Sequence, residues 1–237
     1  MSLEIYSMQQ SVFSPLCIAN ATRTFRQRCL SFHPESIISN STLMELEHVP
    51  RGKTLYFPDN VASCNRPSQM VTTDLGRIAL SIPTSNRSSI TFELWLPEHR
   101  NGKRYFSTGN GGIEGCVTYE DLAYLSGLGF PAMGTNNGHN GTTGVEFYHN
   151  PDILEDDAYL ALHTGTVSGK LLTTQFYEDS IAHSYYIGHS LGIMMGVKGS
   201  EMYPDDYNGI IAGCPAVDFN HLQGERAVFF KVTGTSE

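Results

Sequence analysis

An α/β fold with helices on both faces of one sheet is what this sequence predicts, and three observations predict it. Strand-like and helix-like segments alternate from Ile78 onward. Two of the strand-like segments are separated only by seven turn-rich residues, as in a hairpin. Between a strand pattern and a helix pattern lies Gly188-His189-Ser190-Leu191-Gly192. That G-x-S-x-G spacing suits a sharp strand-to-helix turn, because glycines two residues either side of the serine remove side chains that would collide in the bend.

The elements follow in order. Residues 1–60 mix polar and apolar positions and carry Pro15, Pro34, Pro50 and Pro58. They read as an irregular N-terminal segment with at most one short helix, and 61–237 as the core. Ile78 to Ile82 reads as a strand ending at Pro83, and Ile90, Phe92, Leu94 and Leu96 alternate to one face of the next. Arg104 to Thr108 reads as a third strand running into Gly109-Asn110-Gly111-Gly112. A helix over about Thr118–Gly127 precedes a buried strand near Phe130–Gly134. The longest helical pattern spans Leu154–Phe176, with Leu154, Ala158, Ala161, Leu162, Gly165 and Leu172 on one face. A short strand (Ser184–Ile187), the serine turn, a helix from Leu191 to Met202 stopped by Pro204, and a strand over Asn208–Gly213 complete the order. This is the order of the first six strands of an α/β-hydrolase sheet, with the serine after the fifth. The expected fold is therefore a truncated α/β-hydrolase sheet, incomplete at its C-terminus.

Composition narrows the function. Of 237 residues, 40 % are apolar and 16 % charged, a globular balance. The net charge of −9, with no cluster of Lys and Arg, gives nothing to attract a phosphate backbone, so nucleic-acid binding is excluded. No apolar run is long enough to cross a bilayer, and no signal-peptide-like apolar core appears in the first thirty residues. Glycosylation sequons at Asn20, Asn40, Asn86 and Asn140 point the other way, to a secretory route. Cys17, Cys29, Cys64, Cys116 and Cys214 show no C-x-x-C spacing, so no metal site is expected, and the odd count leaves at least one free thiol.

Ser190 is the candidate nucleophile. A serine hydroxyl attacks only when an adjacent base takes its proton, and the tetrahedral oxyanion that results needs N–H groups already aimed at it. One donor is expected from the backbone of Leu191 and the other from the glycine loop, through Gly111 or Gly112. A phosphate-binding role for that loop fails, because no Lys-Ser/Thr follows it. For the base, His189 adjoins Ser190, but neighbouring side chains diverge at such a turn. His139 follows the fourth strand, near the rim of the site. His163, His183 and His221 read as structural or exposed, and none shows an acid partner in the sequence.

Six segments together resemble the tannase and feruloyl esterase family: Phe92-Glu-Leu-Trp-Leu-Pro97, Gly109-Asn-Gly-Gly112, Gly134-Thr-Asn-Asn-Gly-His139, the helix carrying His163 and Lys170, Ser184-Tyr-Tyr-Ile-Gly-His-Ser190, and Tyr203-Pro-Asp-Asp-Tyr-Asn-Gly-Ile-Ile-Ala-Gly-Cys-Pro-Ala216. The resemblance implies a secreted serine hydrolase that cleaves galloyl, feruloyl or related aromatic esters, small phenolic molecules, through an acyl-enzyme. It also implies a lid with a calcium site, two final strands and the triad Asp and His, all beyond Glu237, so no cofactor is expected in this chain. The family's Cys before the nucleophile, disulfide-bonded beside the catalytic His, is replaced here by His189, so that tether cannot form. Cys214, where the family has Ala, is expected to be a buried thiol. Weak or no turnover is expected of these 237 residues alone, with an exposed sheet edge. The competing readings are a non-catalytic relative or gene-model fragment, and an unrelated lipase-like hydrolase.

Overall fold

The computed structural model describes residues 23–214, 216 and 218–234. Cys17 and the sequon at Asn20 lie outside them. The elements in chain order are α1 (Phe25–Leu30), β1 (Thr42–Val49), β2 (Thr54–Tyr56), β3 (Ser68–Met70), β4 (Leu75–Pro83), β5 (Ser89–Pro97) and β6 (Arg104–Thr108). They continue with α2 (Tyr119–Gly127), β7 (Ala132–Thr135), α3 (Pro151–Glu155), α4 (Ala161–Tyr177), β8 (His183–His189), α5 (Gly192–Met202), β9 (Gly209–Gly213) and α6 (Phe219–Thr233). Seven strands form one sheet in the order β1-β4-β5-β7-β6-β8-β9, and β2 pairs with β3 apart from it.

The hairpin read from the sequence is β4–β5, in unbroken antiparallel register from Leu75 opposite Pro97 to Pro83 opposite Ser89. Its alternation divides the core into two layers. Ile78, Leu80, Ile82, Ile90, Phe92, Leu94 and Leu96 pack with Tyr105, Leu162, Leu172, Phe176 and Tyr186 on the face covered by α1, α4 and α5. Trp95, Phe106 and Ala132 point the other way, onto Tyr119, Leu122 and Leu125 of α2. The observed strand β6 has the bounds expected of it.

Strand order decides where function can sit. β6 lies between β7 and β8 and runs parallel to both, with Thr108 opposite Ile187. The loops that leave the carboxyl ends of β6 and β8 therefore emerge side by side. The chain reverses its direction of travel across the sheet there, which is where open α/β sheets place their sites.

Three features depart from the sequence reading. Residues 42–49 were expected to be irregular, yet they form β1 and pair along β4. Half of that strand is exposed and only Val49 is buried, so its sequence lacks the apolar alternation that marks a half-buried strand. The long helix of 154–176 is interrupted by a π-helical turn at Asp156–Leu160, which separates α3 from α4. Asp156 causes the break. It is fully buried there, and its carboxylate accepts hydrogen bonds from Thr84 Oγ1 at 2.7 Å and from the Ser88 hydroxyl. Cys214 is exposed, not buried. It follows β9, the edge strand, and among the described residues nothing pairs with the outer side of that strand, whose Ile211 is 52 % exposed. The helix that follows, α6, is exposed from Asn220 to Thr233, Val232 by 80 %.

Cys64 and Cys116 form a disulfide that closes a span of 52 residues. Chain-entropy arguments give such a closure about 4 kcal/mol of stabilisation through the unfolded state. Replacing both with serine is expected to lower the denaturant midpoint by a corresponding amount, with the slope of the transition reporting the more expanded unfolded chain. Cys29 is on the buried face of α1, and burial pushes its thiol up to about 12, so it stays a packed, unreactive group.

Candidate active site

Strand β8 ends at His189, α5 begins at Gly192, and Ser190 makes the turn between them. Its φ is +55°, a left-handed backbone that an L-residue with a side chain rarely adopts. A hydrogen bond from the Ser190 N–H to the Gly213 carbonyl, 3.1 Å, helps to fix it, and the residue is exposed. Strained residues held by their surroundings cluster at functional sites.

Close approaches bring the glycine loop against this turn. A Cβ on Gly192 would lie 2.5 Å from the Asn110 carbonyl oxygen, so the start of α5 and the loop touch backbone to backbone. The Gly109 N–H donates to the Ile187 carbonyl at 3.1 Å. Beneath both loops lies the buried ring of Tyr186, whose hydroxyl donates to the Gly192 carbonyl. A Cβ on Gly109, Gly188 or Gly196 would come within 1.7, 2.7 or 2.4 Å of that ring or its hydroxyl. Asn110, 1 % exposed, ties the loop down by donating to the carbonyls of Glu114 (3.2 Å) and Thr135 (3.0 Å).

The two candidate loop donors differ. The Gly111 N–H donates to the Glu114 carboxylate at 3.3 Å and is therefore engaged within its own loop. Gly112 has φ +57° and is exposed, and its N–H makes no hydrogen bond among the described residues. The Leu191 N–H is likewise free, at the first turn of an 11-residue helix where unpaired N–H groups gather. Glu114 is held by Arg66 at 3.2 Å, and Arg66 also reaches Glu120 at 2.9 Å. With the Cys64–Cys116 bridge, these contacts fasten the glycine loop to the N-terminal part of the chain. A cavity of about 120 Å³ opens where loop and turn meet, lined in part by Gly112 and Leu191.

The histidines do not complete this site. His189 is exposed, and its Nε2 lies against Gly111, beside the loop. His139 is 1 % exposed, and its two ring nitrogens face the carbonyls of Asn137 and Ile113, at 3.4 and 3.1 Å. It pins the glycine loop to the strand β7 side. Two of these candidate histidines do have acid partners, which their sequence context did not show. His221 pairs with Asp218 three residues before it, in the open at the start of α6. His163 pairs with Asp206 at 2.7 Å and stacks on Tyr203, with ring centroids 3.5 Å apart. Asp206 belongs to the Y-P-D-D-Y-N-G segment, and its carbonyl accepts from Ser184 Oγ at 2.6 Å and from the Lys170 ammonium. Tyr207 bonds Thr166 at 2.5 Å, and Asn208 bonds Ser184 twice. Ser184 is at the start of β8 and Ser190 follows its end, about 20 Å away at strand spacing. The first part of the Tyr203–Ala216 segment is thus a clamp between α4 and β8, remote from the serine, whereas its Gly213 accepts the Ser190 N–H. Among the described residues no group of three or more His, Cys, Asp or Glu is placed to hold a metal. No helix in them is long and apolar enough to cross a membrane.

Sheet order, helices on both faces and a serine turn between β8 and α5 define an α/β-hydrolase fold. The chain belongs to the tannase and feruloyl esterase family, whose description reads "Tannase and feruloyl esterase" and whose model matches residues 76–237. It is 50 % identical over 222 residues to "Probable feruloyl esterase B-2" of Aspergillus flavus, covering 93 % of this chain and 42 % of that protein. Among solved structures, an esterase from Aspergillus oryzae superposes with a TM-score of 0.83 at 46 % identity, over 89 % of this chain and 42 % of the other. Feruloyl esterase B from Aspergillus oryzae gives 0.82 at 43 % identity, over 90 % and 42 %. Tannin acyl hydrolase from Aspergillus niger, at 22 % identity and a TM-score of 0.58 over 81 % and 36 %, shares the fold. The chain spans about two fifths of the length of the curated relatives it matches.

Proposed function

We propose that the protein is a serine carboxylic ester hydrolase that cleaves small aromatic esters of the galloyl or feruloyl type. One observation carries this reading: an exposed Ser190 in a left-handed backbone, two residues before Gly192, whose backbone touches Asn110 of the glycine loop. The Ser190 oxygen attacks the ester carbonyl as a base removes its proton. The N–H groups of Leu191 and Gly112 receive the oxyanion, with Gly111 in the second position if Glu114 releases it. The alcohol then leaves, and water hydrolyses the acyl-serine. The Cys64–Cys116 disulfide and the exposed sequons at Asn40, Asn86 and Asn140 favour a secreted protein, since disulfides persist in oxidising compartments.

For the 237 residues by themselves we infer weak or no turnover. His139, His163 and His221 are each committed to another partner, and among the described residues no histidine–carboxylate pair reaches Ser190. The same observation favours the second reading, a non-catalytic relative. Covalent labelling by a fluorophosphonate separates them. Protein expressed from the complete reading frame is expected to be labelled, and its Ser190→Ala variant not. Equal labelling of the two would remove Ser190 from the chemistry. Fast Ser190-dependent ester turnover by the 237-residue chain would mean that a base lies within it.

A further inference from the structure

The cavity of about 120 Å³ beside α5 is lined by Gly112, Ile113, Asp157, Leu191, Met194 and Met195. Its walls are apolar side chains and backbone apart from one group, the Asp157 carboxylate. A cavity of about 150 Å³ holds a benzene ring, so this volume is of the order of one aromatic ring. We propose that the cavity takes the aromatic ring of the ester's acyl group and that Asp157 accepts a hydrogen bond from a hydroxyl on that ring. Asp157 is then a residue that determines specificity. The inference rests on the esterase reading of Ser190 and adds the substrate's recognised feature, a free phenolic hydroxyl.

The fold holds Asp157 in place by other means than its own carboxylate. It sits in the π-helical turn at Asp156–Leu160, and a π turn inserts one extra residue, a device frequent at functional sites. The preceding residue, Asp156, anchors the turn to Thr84 and Ser88. Gly138, φ +81°, lets the chain pass so close to Asp156 that a Cβ there would be 2.5 Å from its carboxylate. With the turn already fastened, Asp157 is left half-buried and reachable. Oδ1 accepts from Asn137 Nδ2 at 3.3 Å, and Oδ2 takes no hydrogen bond among the described residues. Asn137 is itself 2 % exposed, in a left-handed backbone (φ +54°), with Thr135 Oγ1 donating to its Oδ1 at 3.2 Å. Burial raises the Asp157 carboxyl above its ordinary range, opposed by the His139 charge and the Asn137 hydrogen bond, which is the signature of a carboxylate short of donors. The cavity also begins at Gly112 and Leu191, whose N–H groups would hold the carbonyl oxygen. A ring conjugated to that carbonyl is the part of the ester that the cavity can reach.

The test compares methyl ferulate, which has a free ring hydroxyl, with methyl 3,4-dimethoxycinnamate, which does not. Protein from the complete reading frame, Asp157→Asn and Asp157→Ala are each assayed for kcat and KM on both esters. The preference for the free hydroxyl is expected to fall about tenfold in Asp157→Ala, mainly through KM, because a hydrogen bond to a charged group is lost. Asp157→Asn keeps an acceptor oxygen and is expected to fall less. Should Asp157→Ala not fold, the near-isosteric Asp157→Asn is read by calorimetry in a Ser190→Ala background. Free ferulic acid is expected to bind it more weakly, and 3,4-dimethoxycinnamic acid unchanged. An unaltered preference, with Ser190-dependent turnover intact, overturns the role of Asp157 and leaves the esterase reading standing. Absence of Ser190-dependent turnover on either ester overturns both.

Discussion

Replacing Ser190 with glycine is expected to make the fold more stable while removing its chemistry. The backbone at 190 has φ +55°, and holding an L-residue there costs roughly 1–2 kcal/mol, which glycine does not incur. Glycine loses more freedom on folding, by roughly 0.5–1 kcal/mol, so the net gain is about 1 kcal/mol. That corresponds to a rise in Tm of about 2–4 °C for a chain of this size. Ser190→Ala keeps the strained Cβ and is expected to melt near the parent. Turnover by protein from the complete reading frame is expected to fall about 10⁶-fold in both variants, as when a catalytic serine is removed elsewhere. The two readouts move in different directions. If the glycine variant melts no higher than the alanine variant, the turn stores no strain and its presentation of the hydroxyl needs another explanation.

The second large effect lies far from the serine. Glu93 is 1 % exposed and Arg77 8 %, and their side chains meet twice, at 2.6 and 3.1 Å. Trp95 Nε1 donates to the same carboxylate at 3.1 Å, Arg77 reaches Glu47 at 3.1 Å, and its guanidinium lies 5.2 Å above the Phe57 ring. Burial alone would lower the Arg77 pKa, but the Glu93 charge and the hydrogen bonds more than reverse it, so the guanidinium stays charged. Glu93→Ala leaves that charge with only the partly exposed Glu47 as partner and is expected to cost about 3 kcal/mol. A double replacement, Arg77→Met with Glu93→Leu, removes both charges and is expected to recover most of the loss. Denaturant titration of the three proteins decides the matter, and a cost below about 1 kcal/mol for Glu93→Ala would mean that water reaches the pair. Acid adds a smaller effect. Burial pushes the Glu47 carboxyl up, but Lys53 and Arg77 bring it below its ordinary 4.5. Its contribution is present above that value and is lost as pH falls through the lower folded one.

Much of this was legible in the residues, for a physical reason. Where side chains alternate between core and solvent, or between two cores, the pattern survives in sequence, as in β4, β5 and β6. The serine turn was legible because its glycines answer a local steric demand. What escaped depended on distant partners. Strand β1 buries only Val49 fully and takes its register from β4, so nothing within Thr42–Val49 announces it. The His163–Asp206 pair spans 43 residues and the Cys64–Cys116 bridge 52, and no local pattern joins residues so far apart. The π turn follows from Asp156 finding Thr84 and Ser88, more than 65 residues away. Cys214 stands where the family has Ala, which suggested a buried thiol, but among the described residues it follows an edge strand, β9, and is exposed.

The Tyr186 ring, wedged among Gly109, Gly188 and Gly196 with its hydroxyl on the Gly192 carbonyl, has a consequence for how this scaffold can change. A methyl group added at any of the three positions strikes the same buried phenol, so each is a dead end as a first mutational step. After a smaller residue has replaced Tyr186, the same glycine substitutions fill a void in place of making a clash, and their sign reverses. Routes that remodel the two loops are thus order-dependent, and a library varying them around an intact tyrosine recovers mostly unfolded clones.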